Sequence, residues 1–462
     1  MSQDPQQPSS LVAARRLLWL YCIVWVIEGA LRKWVLPGFS IQLLLVRDPI
    51  VLMIYYYSSK AGVFPTNGWL GFLWLITGLI FVQALVQVMM GDVSWAVAAF
   101  GVRTFFLHMP LIWVVPVLFG RKEIVSLGKW VLYLAPFLAA LMVVQFEVGP
   151  DHWLNVASLK GGSQIGSVFG KIRPPALFSF ISGPIHYFTL TTAFAIAGVL
   201  TKGLFPRWLT WVGAVSILIA MSVSGSRSLV LGCILVAAVG SAVGLLSGKR
   251  IGSIVVLGIG LIIAIPLLAS FGVLKEGVAA FAERWGSEEE SGASGSKVMG
   301  QRMGGSFTSA FEWAGRVPII GLGVGISSNL AAEKKNFILP VESEWERVIY
   351  EIGPVTGFLY LAFRVALSLR VIGMGFGSIR SGNYLCILLG AACFFDILTG
   401  NLRQVTSYGY MSVCAGLCLA AFKAFSTEED SDETRPTESL MLEVPKLRGR
   451  GRFAVGGNPV QP

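Results

Sequence analysis

The chain has 462 residues, of which 54% are hydrophobic and 13% charged, and its formal net charge is +10. Soluble domains carry about 25% charged residues, so the composition excludes an ordinary soluble enzyme and points to an all-α, polytopic integral membrane protein. Much of the basic surplus sits in short loops, where it orients helices, and it implies no nucleic-acid partner.

Residues 1–14 are mostly polar and are expected to form a disordered cytoplasmic N-terminus. Arg15 and Arg16 then precede the run LLWLYCIVWVIEGAL, which is followed by Glu28, Arg32 and Lys33 rather than by a small-residue cleavage site. That order predicts an uncleaved first helix. Further apolar runs occur at 41–57, 69–90, 94–119, 126–148, 183–200, 207–224, 228–247, 251–274, 346–374, 383–400 and 404–424. Each is close to the roughly 20 residues that cross hydrocarbon as a helix, giving about twelve spans.

With the N-terminus inside, Lys60, Arg121 with Lys122, Lys202 with Arg207, Lys249 with Arg250, and Arg380 all fall on the cytoplasmic side, as the positive-inside bias requires. Arg32 with Lys33, and Arg403, fall on the opposite side. The polar segments at about 149–182 and 275–345 then lie outside, the second as a large periplasmic loop between helices 1–9 (15–274) and helices 10–12 (346–424). Unsatisfied backbone groups forbid such polar segments inside the bilayer. Residues 425–462 read as an acidic block followed by a basic, Gly-rich block, expected to be a disordered cytoplasmic tail that touches anionic lipid. The six cysteines all fall in apolar runs, and Cys414 and Cys418 lack His or carboxylate companions at metal spacing, so neither a metal site nor a disulfide framework is expected.

Charges inside apolar runs need partners. Glu28, Arg47 with Asp48, Arg103, Arg364 and Asp396 are such charges. They either form interhelical ion pairs or line a polar route for a proton or a carrier headgroup. Arg227, in SVSGSRSLVL, stands at an outer membrane boundary, where it either reaches into headgroups or faces a cavity that binds phosphate. Arg173 in GKIRPPALFSF, Arg302, Arg316 and Arg403 add to the positive outer face. A guanidinium fork suits phosphate oxygens bidentately, which lysine cannot match. In the large segment, Leu274, Val278, Phe281 and Trp285 recur at helical spacing, as do Phe307, Ala310, Phe311 and Ala314. Both stripes are expected to pack on the top of the bundle or the membrane surface. GLGVG (Gly321 to Gly325) follows no parallel strand, so it reads as a tight turn whose amides could also hold an anion.

GSRS after a helix, RPPALFSF before one and RMGGSFTSAFEWAGRVPIIGLGVG together resemble the O-antigen ligase and O-antigen polymerase superfamily of bacterial polysaccharide assembly, over roughly Arg173 to Gly353. The resemblance implies about twelve helices in the bacterial inner membrane, with both termini cytoplasmic and a large periplasmic loop. It also implies transfer of a glycan from an undecaprenyl diphosphate carrier to a saccharide or lipid acceptor hydroxyl, without a metal ion or other cofactor, alongside other polysaccharide assembly proteins. Arg227 and Arg302 would bind the diphosphate, with Arg173 and Arg316 as further candidates. Where the family reads H-N-x-x-L-x-x-x-x-E-x-G, this chain reads ESEWERVIYEIG, with Glu342 at the histidine position, Ser343 at the asparagine, and Glu351 and Gly353 matching. The general base then falls to a carboxylate, Glu342 or Glu344. If the segment is helical from Glu342, that residue shares a face with Glu346 and Ile349, whereas Glu344 faces Arg347 and Glu351 in an ion pair. The rival readings are a transporter or flippase of lipid-linked oligosaccharide, and a non-catalytic assembly partner. No repeat relates the two halves, which disfavours the transporter.

Overall fold

Long apolar runs close their backbone hydrogen bonds within themselves, and the chain is accordingly helical. The computed structural model describes residues 8–158, 164–166, 170–247, 275–277, 279, 305, 307–328, 331 and 343–426. In chain order its helices are α1 (Ser9–Ala30, continued by a π-helical turn, Leu31–Val35), α2 (Ser40–Leu43), α3 (Arg47–Lys60), α4 (Gly68–Met89), α5 (Trp95–Phe106), α6 (Leu111–Leu118) and α7 (Arg121–Glu147). They are followed by α8 (Ser182–Leu200), α9 (Arg207–Val223), α10 (Arg227–Leu246), α11 (Glu344–Ile379), α12 (Tyr384–Leu398) and α13 (Val405–Ser426). Among the described residues there is no strand, only an isolated antiparallel bridge between Gly166 and Ile172.

Among the described residues, eight helical segments are long and apolar enough to cross a membrane, and α5 with α6 form a ninth candidate, bent by 49°. The helices α9 and α12 are apolar but shorter. Membrane embedding also explains α4. One side of it buries Leu70, Leu73, Ile76, Ile80 and Ala84, while the other exposes Phe72, Leu75, Leu79 and Val82. An apolar stripe of that kind is a liability in water and an ordinary surface in lipid.

The single span expected at 94–119 is broken. Pro110 has no N–H to donate and its ring disfavours helix in the residue before it, so α5 stops at Phe106 and α6 restarts at Leu111. The break places His108 in the core. The run at 251–274, the stripe from Leu274 to Trp285 and the tail after Ser426 lie outside the described residues. The second stripe packs as expected: Phe307 stands edge-on to Trp345 at 4.1 Å, Phe311 stacks on Phe358 at 4.9 Å, and Ala310 is buried.

The centre of the bundle is α8, which packs against α7, α9, α10, α12 and α13. Its threonine hydroxyls are satisfied within the helix. Thr189, Thr191 and Thr192 donate to the carbonyls of Ile185, Tyr187 and Phe188 at 2.7, 2.8 and 2.7 Å. The C-terminal ends of α1 and α12 meet the N-terminal ends of α8, α11 and α13 at one end of the bundle. Arg32 Nη1 donates to Ser179 Oγ at 3.0 Å, Trp345 Nε1 to the Leu398 carbonyl at 2.9 Å, and Arg403 Nη1 to the Ser327 carbonyl at 2.6 Å. Both long polar segments therefore come to the same end, and Lys171 pairs with Glu276 across them at 3.5 Å.

Candidate functional site

Two groups of buried ion pairs hold this end together. The first starts on α1, where Glu28 and Arg32 are one helical turn apart and share a face. Glu28 Oε2 takes Arg47 Nε at 2.8 Å and its Oε1 takes Arg32 Nη1 at 3.4 Å. Arg47 Nη1 also reaches Tyr21 Oη at 3.5 Å. Tyr21 Oη meets His108 Nδ1 at 2.7 Å, and His108 Nε2 meets Asp48 Oδ1 at 3.1 Å. Arg103 closes the chain with a two-point pair to Asp48, its Nη2 at 2.8 Å.

The second group is set by helix capping. Ser343 has extended φ/ψ (−93°, 156°); its Oγ accepts from the Glu346 N–H at 3.2 Å, and Glu346 Oε2 accepts from the Ser343 N–H at 3.3 Å. This capping box starts α11 at Glu344. The alternative of a helix running from Glu342 is therefore corrected: Glu342 precedes the cap and lies outside the described residues. Glu344 accepts Arg347 Nε at 2.9 Å and Nη2 at 2.8 Å, and its Oε1 also takes Arg364 Nη1 at 3.2 Å. Arg347 Nη1 reaches Glu351 Oε2 at 2.8 Å. Two carboxylates thus match two guanidiniums, all buried.

Between these groups lies a cavity of about 300 Å³, lined by Arg32, Arg403, Gln164, Gln404, Ser179, Ser182 and Thr406 among others. Its charge is not balanced. Its lining carries two cations, Arg32 and Arg403, and no carboxylate among the described residues; Arg32 shares Glu28 with Arg47, and Arg403 has no carboxylate within 4.0 Å among the described residues. Lys33 is 3% exposed, and its Nζ contacts the Ala176 carbonyl at 2.7 Å and the Trp34 ring at 4.4 Å. Arg403, in the loop before α13, is half-buried. Burial, with the Arg347 guanidinium acting in the same direction, holds its pKa below the usual arginine value, while Glu344 and Glu351 oppose this. An anion in the cavity would offset that cost.

The stretch that carries Arg173 reaches the cavity at Gln164, Ser179 and Phe180. Ala176 has a left-handed backbone (φ 51°), a conformation that costs an L-residue about 1–2 kcal/mol. Gln145 clamps it, accepting from the Ala176 N–H at 2.8 Å and donating to its carbonyl at 3.2 Å, the same carbonyl that Lys33 holds.

Of the arginines that the resemblance offered for diphosphate binding, the three among the described residues lie away from this cavity. Arg227 is half-buried at the start of α10, Arg316 is exposed, and Arg173 is half-buried with its N–H bonded to the Ile165 carbonyl at 3.0 Å. None of the three lines the cavity. Arg302 lies outside the described residues, as Glu342 does. The charges inside the apolar runs do find partners: Glu28 with Arg47, Asp48 with Arg103, Arg364 with Glu344, and Asp396 with His186 at 3.5 Å. The GLGVG amides bond protein acceptors. Leu322 N donates to the Tyr350 carbonyl at 2.9 Å and Val324 N to Gln87 Oε1 at 2.7 Å. The segment is therefore a turn clamped to α4 and α11 rather than an open anion nest. Arg32 and Lys33 were legible only as basic residues on the wrong side for helix orientation; so was Arg403, which counted also among the outward arginines. A charge kept against the orientation bias has another task. No family model matches the chain, and no curated protein matches it.

Proposed function

We propose that this chain is a membrane glycosyltransferase of the polysaccharide polymerase or ligase type, with about twelve spans and the cavity opening to the periplasm. It takes a glycan from an undecaprenyl diphosphate carrier and joins it to an acceptor hydroxyl. The observation that carries this reading is the guanidinium charge of Arg32 and Arg403 at a cavity lined by the first long polar segment, at the end of the bundle where Lys171 pairs with Glu276 of the second. In such a transfer the leaving group is a lipid diphosphate, and its developing charge must be neutralised in place. Arginine forks supply that neutralisation, and the amides and hydroxyls of Gln164, Gln404, Ser182 and Thr406 suit sugar hydroxyls. In this scheme Glu344 is structural, since both of its oxygens hold guanidiniums.

The test is reconstitution of the full chain in liposomes with a synthetic polyprenyl diphosphate oligosaccharide and an acceptor. Longer chains or a glycosylated acceptor are expected. Translocation without transfer would make the protein a transporter, and neither outcome would leave an assembly partner. Reporter fusions at Gly162 and Ser294 should read periplasmic, and a cytoplasmic reading at Ser294 would end the proposal.

A further inference from the structure

A second polar cluster lies beside the cavity, and neither ion-pair group uses it. His186 Nε2 is 2.8 Å from Ser407 Oγ, and its Nδ1 is 3.5 Å from Asp396 Oδ1. The three side chains come from α8, α13 and α12, so only the folded bundle assembles them. The imidazole is buried and stacks on Tyr410, with ring centroids 4.5 Å apart and planes 15° apart. Ser407 Oγ has one other polar neighbour, Gln404 Oε1 at 3.4 Å. Ser182, one turn before His186 on α8, lines the cavity, as do Gln404, Val405 and Thr406 immediately before Ser407. The trio therefore adjoins residues that line the cavity, Ser182 on α8 and Gln404 to Thr406 before Ser407.

Fastening α8 to α13 would need only the hydroxyl and the imidazole. The carboxylate 3.5 Å from the far ring nitrogen adds a group that stabilises the cation formed on protonation. We infer that Ser407 and His186 form the proton relay of the transfer, an inference that rests on the glycosyltransferase reading above. The acceptor hydroxyl donates to Ser407 Oγ, and the Ser407 proton passes to His186 Nε2. The acceptor oxygen's lone pair forms the new bond to the anomeric carbon. The bond from that carbon to the diphosphate oxygen breaks, and its electron pair leaves with the diphosphate, beside Arg32 and Arg403. The proton on His186, balanced by Asp396, is then released to water. Glu342, the carboxylate that the sequence offered as base, has no part in this scheme.

The titratable groups packed on the imidazole are Asp396 of α12 and Tyr410 of α13, while Arg364 of α11 approaches only the Asp396 carbonyl, at 3.2 Å. The experiment uses the full chain in liposomes with a synthetic polyprenyl diphosphate oligosaccharide. Turnover is followed for the wild type, His186→Gln, Ser407→Ala, Ser407→Thr and Glu342→Gln, with carrier binding and thermal stability measured in parallel. His186→Gln should lower kcat by about 100- to 10,000-fold and leave carrier affinity unchanged. Ser407→Thr should keep most of the activity that Ser407→Ala loses. Glu342→Gln should turn over as the wild type does. Should His186→Gln fail to fold, Ser407→Ala, which only removes an oxygen, carries the same test. An active wild type whose His186→Gln or Ser407→Ala variant turns over normally overturns the relay alone, as does a loss of turnover that only follows a loss of stability or of carrier binding. A wild type that binds the carrier but transfers nothing overturns the glycosyltransferase reading, and the relay with it.

Discussion

Replacing Glu344 with glutamine keeps the shape of the side chain and removes its charge. In the native protein Glu344 Oε1 is shared by Arg347 Nη2 at 2.8 Å and Arg364 Nη1 at 3.2 Å, while Oε2 takes Arg347 Nε at 2.9 Å. Both arginine side chains and Glu344 are at most 4% exposed, so solvent cannot screen the loss. Glutamine would leave two buried guanidiniums facing Glu351 alone. Breaking a buried pair on one side costs about 3–5 kcal/mol, and a glutamine NH₂ turned toward a guanidinium adds no compensation. The assay is thermal unfolding of purified protein in detergent, run with Arg364→Met and the double variant. Glu344→Gln should unfold well below the wild type. The pair should also show a coupling of about 0.5–3 kcal/mol, because removing Arg364 relieves part of the charge left without a partner. A Glu344→Gln protein with wild-type stability and greatly reduced turnover would refute this reasoning and make Glu344 a catalytic carboxylate.

Three further outcomes follow from the same geometry. Lys33→Met removes a buried cation that has no carboxylate within 4.0 Å among the described residues, and the Ala176 carbonyl keeps its bond to Gln145 at 3.2 Å. The variant should unfold at a higher temperature yet bind a polyprenyl diphosphate more weakly; lower stability would mean that the positive charge is already neutralised. Gln145→Leu orphans the Ala176 N–H of a strained backbone, while Lys33 still holds the carbonyl at 2.7 Å, and should lose about 1–3 kcal/mol, seen as a lower unfolding midpoint. Gly325→Ala meets both a left-handed φ of 81° and a Gly101 Cα 2.8 Å from the new Cβ, so it should cost at least about 2 kcal/mol and reduce the yield of folded protein.

Periodicity and length made the membrane class legible, because α1, α4, α7 and α10 are apolar runs with polar ends. They did not show the break at His108–Pro110, where a continuous apolar window hides a change of direction. The ion pairs were legible as a need without a partner. Glu28 and Arg47 had to be matched, but pairing is fixed by which helices pack side by side, and no local pattern encodes that. The Glu344–Arg347 pair was legible because three-residue spacing on one helix is local information. The cavity was the least legible. Its two arginines come from the end of α1 and the loop before α13, far apart in sequence. His186, Asp396 and Ser407 likewise sit on separate helices; Asp396 was legible as a charge in need of a partner, while His186 and Ser407 alone read as ordinary polar residues.

The central claim is that the cavity beside Arg32 and Arg403 holds the diphosphate of a lipid carrier. Its most direct test is the affinity of the purified full chain for a short-chain polyprenyl diphosphate, compared with the matching neutral polyprenol, for the wild type, Arg403→Ala and Arg403→Lys. The account predicts that the wild type prefers the diphosphate strongly. Loss of one charge-assisted contact, about 1.5–3 kcal/mol, should weaken binding roughly 10- to 150-fold in Arg403→Ala, with Arg403→Lys close behind because the fork is gone. Equal affinity for the neutral polyprenol, or an Arg403→Ala protein that binds the diphosphate as the wild type does, would contradict it.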